Sequence, residues 1–361
     1  MIRSHRAPVR LLQILLSVLL LLVPACSDDD DPTGPGDDDG TEPGVPVTYA
    51  IPPFDVVQHG VTQRAVWSDG ETTITAGDDG TCFVESDAGR FLLPLGVGDD
   101  VGMTAVSSTG TGKTYVTGAF AAGFDPDSPA ILRFENGLRT RETIDAPRST
   151  TGVECTVAVS YLTAHETLWK GVDGSWSSFA EFPGGCSDVH YAGSGLIFVA
   201  SNDGLHLYQE GTWTNVYPSD EPVLCVDGVD EDQVMATCRY DVVGCDGNHD
   251  FDVMHGASEV LNDVSWADAT WAVAAGHDGL VTTYDGASFT PAPLETDVDF
   301  HAVAAWRRGT RAEAVVVGDF GAEFRYDGAS WTGVALPPGV WTDVAGDGSG
   351  GVIALREGLP P

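Results

Sequence analysis

The feature that most constrains the fold is an internal repeat of about 40 residues. Its copies share an apolar strand with a central valine, a glycine-rich turn, an alternating strand, a second turn and a short strand, then a glycine followed by an aromatic residue. The clearest copies are residues 262–289 and 301–331. Four short strands per repeat are typical of a β-propeller blade, and no stretch shows the 3.6-residue stripe of helical repeats convincingly. The sequence therefore predicts an all-β chain folded as a single β-propeller.

The valines of the first strands give the number of blades. They are Val66, Val106, Val189, Val226, Val264, Val303 and Val344. Successive valines are 40, 83, 37, 38, 39 and 41 residues apart. The interval of 83 is two periods and contains one irregular copy, with Cys155 and Trp176. We therefore expect eight blades, or seven if residues 148–185 are an insertion.

The two ends of the chain are expected to meet. Residues 47–53 resemble residues 331–338, which form the outermost strand of a blade, whereas residues 340–344 and 351–355 supply inner strands without an outer partner. A propeller must close its ring or leave exposed strand edges. The sequence therefore predicts that N- and C-terminal strands share one closing blade.

The turns and the aromatic positions have local physical reasons. Glycine and aspartate at the turns supply positive φ angles and side-chain hydrogen bonds to the backbone. The aromatic residue after the second glycine, such as Phe289 or Trp331, is expected to wedge between neighbouring blades. The alternative is an exposed platform for a ligand.

Residues 1–25 have the pattern of a secretory signal peptide. Arg3, Arg6 and Arg10 precede a short apolar run that ends at Pro24, too short for a spanning helix. Residues 22–26 resemble a bacterial lipobox, although Pro24 departs from the usual residue at its position. The resemblance implies that Cys26 carries a diacylglyceryl group and becomes the mature N-terminus. The alternative is a leftover cysteine beside an ordinary cleavage site.

Residues 26–45 are rich in aspartate, glycine and proline and are expected to form an acidic disordered tether, with the propeller at residues 46–361. The net charge of the whole chain is −37. Such a field repels nucleic acid and anionic headgroups and favours cations or cationic peptides as partners. An acidic composition imposed by the habitat or genome of the organism explains the charge equally well.

Six cysteines follow Cys26, and an even number in an exported chain suggests up to three disulfides. Without a CxxC pair or zinc-finger spacing, cross-linking is favoured over metal or redox chemistry. The preferred pairs are Cys225 with Cys238, Cys155 with Cys186, and by elimination Cys82 with Cys245.

Two segments imitate ligand sites. Residues 107–114 end like a phosphate-binding P-loop, but the first glycine is missing and a strand follows, so a hairpin turn is expected. Residues 245–252 begin like a calcium loop, but the glycine and the final acid of an EF-hand are absent. A looser calcium site with Asp246, Asn248, Asp250 and His255 remains a hypothesis, beside the plainer reading of a polar hairpin loop.

The Gly-Asp-x-Gly turn followed by Tyr-Asp-Gly-Ala-Ser-Trp, at residues 318–331, resembles the repeats of secreted bacterial lipoproteins. These are loosely similar to the BNR or Asp-box group and to sensor propellers of two-component regulators, although the strict Asp-box order is absent. The resemblance implies a fold whose functions range from glycosidases to scaffolds.

The function favoured by the sequence is a monomeric, non-enzymatic module of the bacterial cell envelope that binds protein or carbohydrate. A lipid would hold it in the membrane. Ser27, the residue after the lipidated cysteine, indicates the outer membrane, with the module facing the periplasm or the surface. The alternative is a carbohydrate-active hydrolase or lyase with a site in the axial funnel. The arginines Arg64, Arg90, Arg239 and Arg325 do not recur at one blade position, as a sialidase-type site would need, and no other catalytic motif is present.

Overall fold

The computed structural model describes residues 63–356 except 69–71, 78–81, 87–88, 93–100, 109–112, 121–128, 136–137, 143, 145–149, 157, 246–248, 336–340 and 347–351. The strands in chain order are β1 Gln63–Ser68, β2 Thr72–Gly77, β3 Cys82–Ser86, β4 Gly89–Leu92, β5 Val101–Ser108, β6 Lys113–Phe120, β7 Pro129–Glu135, β8 Leu138–Glu142, β9 Thr150–Cys155, β10 Ser160–Ala164, β11 Thr167–Val172, β12 Ser175–Glu181, β13 Cys186–Gly193, β14 Leu196–Ser201, β15 Gly204–Gln209, β16 Thr212–Pro218, β17 Val223–Asp230, β18 Gln233–Cys238, β19 Asp241–Cys245, β20 Phe251–Gly256, β21 Leu261–Asp268, β22 Trp271–Gly276, β23 Val281–Tyr284, β24 Phe289–Pro291, β25 Phe300–Arg308, β26 Arg311–Gly318, β27 Ala322–Tyr326, β28 Trp331–Ala335, β29 Trp341–Gly346 and β30 Val352–Arg356.

The strands form antiparallel sheets that follow one another around a ring. Consecutive groups of four strands make sheets 1 to 7, and β29 with β30 makes sheet 8. The first strand of each sheet contacts the first strands of both neighbouring sheets, and β29 lies between β25 and β1. The first strands therefore form the inner wall of a closed ring, which is the arrangement of a β-propeller.

The segment from 148 to 185 is not an insertion between sheets. Its described residues contain β9 to β12, which form sheet 3 with the same order of strands as the other sheets. Residues 47–53, which are predicted to complete sheet 8, lie outside the described residues. The closing strand therefore stays a prediction.

A valine occupies the same register position in the first strand of every sheet. The irregular third copy supplies Val153, which pairs with Leu162 as Val189 pairs with Val199 in sheet 4. Val189 is buried against the preceding sheet, beside Tyr161 and other apolar side chains. The core thus lies between sheets, where each sheet buries one face against each neighbour.

The predicted wedges between sheets are confirmed. Trp176 of sheet 3 makes an edge contact with Tyr115 of sheet 2, with ring centroids 5.5 Å apart. Phe289 of sheet 6 stacks on His255 of sheet 5 at 5.3 Å. Such offset and edge-on contacts add to the burial of each ring. These rings serve packing between sheets, not an exposed platform.

The predicted disulfides are not formed, because all six cysteines after Cys26 are free thiols. Cys225 and Cys238 lie on adjacent strands but pack on opposite faces of sheet 5. The Cys225 thiol reaches Asp263 of sheet 6, whereas the Cys238 sulfur lies 3.1 Å from the Ser219 hydroxyl. A disulfide needs Cβ atoms about 4 Å apart and directed at each other.

In each of the other two predicted pairs, the two cysteines lie in different sheets. Cys155 lies in the apolar cluster between sheets 2 and 3, and Cys186 in the cluster between sheets 3 and 4. Cys82 packs between sheets 1 and 2, whereas Cys245 packs in the cluster of sheets 4 and 5. Each of these four sulfur atoms is enclosed by a different apolar cluster. The even number of cysteines does not indicate which of them lie close together.

The P-loop-like segment lies between the antiparallel strands β5 and β6, as the predicted hairpin requires, and residues 109–112 at its tip are outside the described range. No helix of the described part is long and apolar enough to cross a membrane.

Candidate functional site

The innermost strands carry aspartates that bind two sheets at once. The Asp188 carboxylate accepts the amide N–H of Val189 at 2.8 Å and that of Val226, in the next sheet, at 3.1 Å. Asp263 repeats the pattern, accepting the amide of its own neighbour at 2.8 Å and that of Val303 in sheet 7 at 2.9 Å. Inner strands have one edge without a partner strand, and these carboxylates satisfy its N–H groups.

A second set of side chains, two residues further along the strands, makes the same kind of bond. The bonds run from Cys155 N–H to Ser107, from Trp266 N–H to Asp227 and from Ala305 N–H to Ser265, at 3.0, 3.0 and 3.2 Å. A third set, at the start of the strands, donates to carbonyl oxygens of the next sheet. These bonds run from Thr151 to Cys186, from Ser187 to Val223 and from Asn262 to Phe300, at 3.0, 2.6 and 2.7 Å.

The junction between sheets 7 and 8 is built differently. Ala302 and Ala304 occupy the positions that carry Asp263 and Ser265 in sheet 6, and they pack with Val315, Val317 and Val344. At these two positions of sheet 7, apolar contact takes the place of the bridging carboxylate and hydroxyl.

Burial makes the inner carboxyls weak acids. It is the largest cause that raises the pKa of Asp188 to about 7 and that of Asp263 to about 6, and it also raises the pKa of Asp227. The amide hydrogen bonds act in the opposite direction, because they favour the charged form. Among the described residues, no guanidinium contributes to these shifts.

Glu154, on β9, is a further inner carboxyl with a raised pKa. Burial raises its pKa to about 8, and repulsion by Asp188 and Asp227 of the next two sheets adds to the shift. Its interaction with two successive sheets places it on the axial side of the ring. Glu154 therefore shares one cluster of carboxyls with the bridging aspartates.

Cys225 and His190 fill two further positions of this inner ring. The Cys225 thiol donates to Asp263 at 3.1 Å, and burial raises its pKa well above the ordinary value. His190 is packed against Gly228, and burial lowers its pKa, which Asp227 partly offsets. The partial burial of both side chains and the hydrogen bond from the thiol to Asp263 fit a structural role.

One face of the ring, which we call the loop face, carries the turns between second and third strands and the connections between sheets. In sheets 3 to 7, where these turns are described, each turn is hydrogen-bonded to a connection, as in the bond from Asp319 N–H to the Asp299 carbonyl at 3.0 Å. Gly276 and Gly318 allow this close fit, since a Cβ atom there would lie 1.9 and 2.0 Å from the carbonyl oxygens of Val260 and Asp299. The loop face is therefore held by backbone bonds.

Among the described residues of the loop face, two aromatic side chains are exposed. Phe320 is 80% exposed at the tip of the turn between β26 and β27, and Tyr240 is 39% exposed in the equivalent turn of sheet 5. The Arg239 guanidinium lies 5.0 Å from the centroid of the Tyr240 ring and 2.7 Å from Glu221. Large exposed aromatic side chains on turns that are fixed by backbone hydrogen bonds are typical of contact surfaces.

The sequence-predicted site residues are not assembled by the described structure. Cys26, Asp246 and Asn248 lie outside the described residues, Asp250 is exposed, and His255 is engaged by Phe289. Within the described ranges, no group of three His, Cys, Asp or Glu residues is placed to hold a metal ion. Because Asp246 and Asn248 are outside these ranges, the calcium site stays a prediction.

Known structures resemble this chain in fold. The designed protein Ika8 matches with a TM-score of 0.64 at 13% identity, over 82% of this chain and 97% of the other. The C-terminal WD40 domain of Sif2 matches with a TM-score of 0.61 at 12% identity, over 83% and 97%. The chain is a β-propeller.

A third similar structure is YCF48 bound to D1 peptide, with a TM-score of 0.55 at 13% identity, over 77% of this chain and 99% of that one. At such identities the likeness concerns the fold alone. No protein-family model matches the sequence, and no curated protein does so either.

Proposed function

We propose that this chain is a non-enzymatic binding or scaffold module of the bacterial cell envelope, with a propeller that presents its loop face to a protein or carbohydrate. The observation that carries the proposal is the use of the inner carboxylates. Asp188, Asp227 and Asp263 accept backbone amides of neighbouring sheets, so they act in the assembly of the ring. The peptide-bound state of YCF48, a propeller of similar extent, supports a binding role for this fold.

The proposed location rests on the N-terminal residues. A diacylglyceryl group on Cys26 would anchor the chain, and residues 27–45 would hold the propeller away from the membrane. Cys26→Ser should move the protein from the membrane to the soluble fraction and abolish palmitate labelling. Retention of the variant in the membrane would refute the anchor.

The binding role is tested with the full chain in detergent. It is incubated with a glycan array and, in a parallel arm, cross-linked to neighbours in the intact cell envelope. Capture of a defined protein or glycan without turnover supports the proposal. Release of cleaved glycan by the purified chain refutes it.

The second candidate is a hydrolase or lyase of carbohydrates, and Glu154 is the observation that favours it. Glycoside hydrolysis needs one carboxyl that stays protonated and a second that is ionised. Glu154, with its pKa near 8, has this property beside Asp188 and Asp227. Glycan cleavage that is lost in Glu154→Gln but kept in Glu181→Gln, an exposed control, would establish this function. Equal rates for both variants would exclude Glu154 as its acid.

A further inference from the structure

Phe320 has a backbone conformation that its side chain disfavours. The residue has a φ angle of 56° in the turn Gly318-Asp319-Phe320-Gly321. Asp278, in the corresponding turn of sheet 6, has a φ of 51°. Aspartate and asparagine tolerate this region, whereas a bulky residue with positive φ is strained. Sheet 7 therefore has a strained aromatic residue, 80% exposed, at this turn position. The neighbouring sheet 6 forms the same turn with a small polar residue.

The turn with Phe320 is joined to the turns of sheets 5 and 6. The Asp299 carbonyl accepts the Asp319 amide, and the Asp299 side chain accepts the Asp278 amide at 2.9 Å. The connection before β21 links the other pair, because the Val260 carbonyl accepts the His277 amide and the Tyr240 carbonyl accepts the Ala257 amide. The three turns form one continuous surface, which we call the arc, containing residues 239–240, 277–278 and 319–320.

The arc is acidic between its aromatic ends. Asp278 and Asp319 belong to it, and Asp299 lies beside them in the connection before β25. Glu221, at its edge, is already paired with Arg239. The histidines His277 and His301 lie 3.6 and 2.8 Å from Asp299 and Asp319. The surface therefore combines exposed rings with carboxylates that exceed the basic groups beside them.

We propose that the arc binds a cationic polypeptide segment in which an apolar side chain alternates with arginine or lysine. The apolar side chain packs on Phe320, and the basic side chains pair with Asp278, Asp299 and Asp319. The charge of the whole chain, −37, attracts such a segment and repels anionic surfaces. This inference rests on the proposed binding function and specifies its partner.

The test measures fluorescence anisotropy of labelled peptides with the full chain in detergent. The probes are a peptide of alternating arginine and leucine, an arginine-only peptide of the same length, and an alternating glutamate and leucine peptide. Labelled maltoheptaose is the carbohydrate arm. The arginine and leucine peptide should bind most tightly, with an affinity that falls as salt rises.

The variants separate the ring from the charge. Asparagine at position 320 tolerates the positive φ angle, and Phe320→Asn should lower the affinity for the arginine and leucine peptide by roughly tenfold. Asp278→Asn should reduce the salt dependence of that affinity. Val229→Asn is the matched control, because Val229 is 46% exposed at the end of β17, on the opposite face. Circular dichroism of each variant verifies folding.

Three results would overturn the inference. One is a wild-type chain that binds none of the peptides, and another is equal affinity for wild type and Phe320→Asn. The third is a preference for maltoheptaose that requires Phe320. A partner captured in the cell envelope together with any of these results would leave the binding function standing and remove only the cationic segment and the arc.

Discussion

At the scale of single residues, the carboxyl of Glu154 moves on folding from water into a cluster of other carboxyls. Its pKa rises from 4.5 to about 8 in the folded chain, because burial and the charges of Asp188 and Asp227 disfavour ionisation. Since the folded pKa lies above the unfolded one, the folded state holds the proton more tightly. Its contribution to stability is complete below about pH 4.5 and is lost as the pH rises through about 8.

Glu154→Gln should therefore flatten the dependence of stability on pH. Between about pH 5 and pH 8 the wild-type free energy of unfolding should fall by roughly 2 kcal/mol more than that of the variant, after allowance for partial solvent access. Urea unfolding at the two pH values measures this difference. Glu181→Gln, which removes an exposed carboxyl from β12, should follow the wild type, and identical slopes for all three proteins would contradict the pKa of Glu154.

The sequence contains a signal for the bridging aspartates beside the pattern of strands and turns. Aspartate directly precedes the first-strand valine at Asp188, Asp263 and Asp343, and this recurrence coincides with the inner edge of the ring. Glu154 could not be found in this way, because its sheet is the irregular copy. Its pKa depends on carboxyls of two other sheets, which only the assembled ring brings near.

At the scale of strands and sheets, the bonds between inner strands should contribute measurably to stability. Asp263→Ala removes the acceptor of two backbone amides and of the Cys225 thiol, and we expect a loss of about 2 kcal/mol. Asp263→Asn keeps one oxygen and should cost less. Ser265→Ala removes one bond and should cost about 1 kcal/mol.

Denaturant unfolding of these variants gives the comparison. A loss for Asp263→Ala no larger than that for Ser265→Ala would contradict the assignment of Asp263 as a bridge between sheets 6 and 7.

The four-strand order and the turns were predictable because alternation and turn residues are local properties. Val153 was missed because the long connections around it shift its spacing to 47 and 36 residues from its neighbours.

The surroundings of the cysteines do not follow from their number. An even count predicts pairing only when the side chains meet, and which face of a sheet a thiol occupies depends on register. The irregularity between Val223 and Cys225 directs the Cys225 thiol toward sheet 6 and away from Cys238. No property of the sequence spacing indicates that direction.

At the scale of the whole molecule, the ring depends on how sheet 8 is completed. The predicted outer strand at residues 47–53 would cover the edge of β30, which otherwise resembles an open template for aggregation. Deletion of these residues should lower the melting temperature and promote self-association. Deletion of residues 30–44, within the acidic tether, should leave both unchanged.

Thermal unfolding and sedimentation of the two deletion variants distinguish these outcomes. A chain without residues 47–53 that melts and sediments as the full chain does would show that the ends do not share a blade. The propeller itself would remain, because β29 contacts both β25 and β1 directly.

The inner carboxyls join neighbouring sheets of the ring, and we propose that the loop face makes contact with a partner. Hydrogen exchange of the full chain, measured with and without the arginine and leucine peptide, tests this division of roles. The peptide should slow exchange at residues 239–240, 277–278 and 319–320 and leave exchange in β9 unchanged. Protection centred on Glu154 and the inner strands, without protection of the three turns, would contradict it.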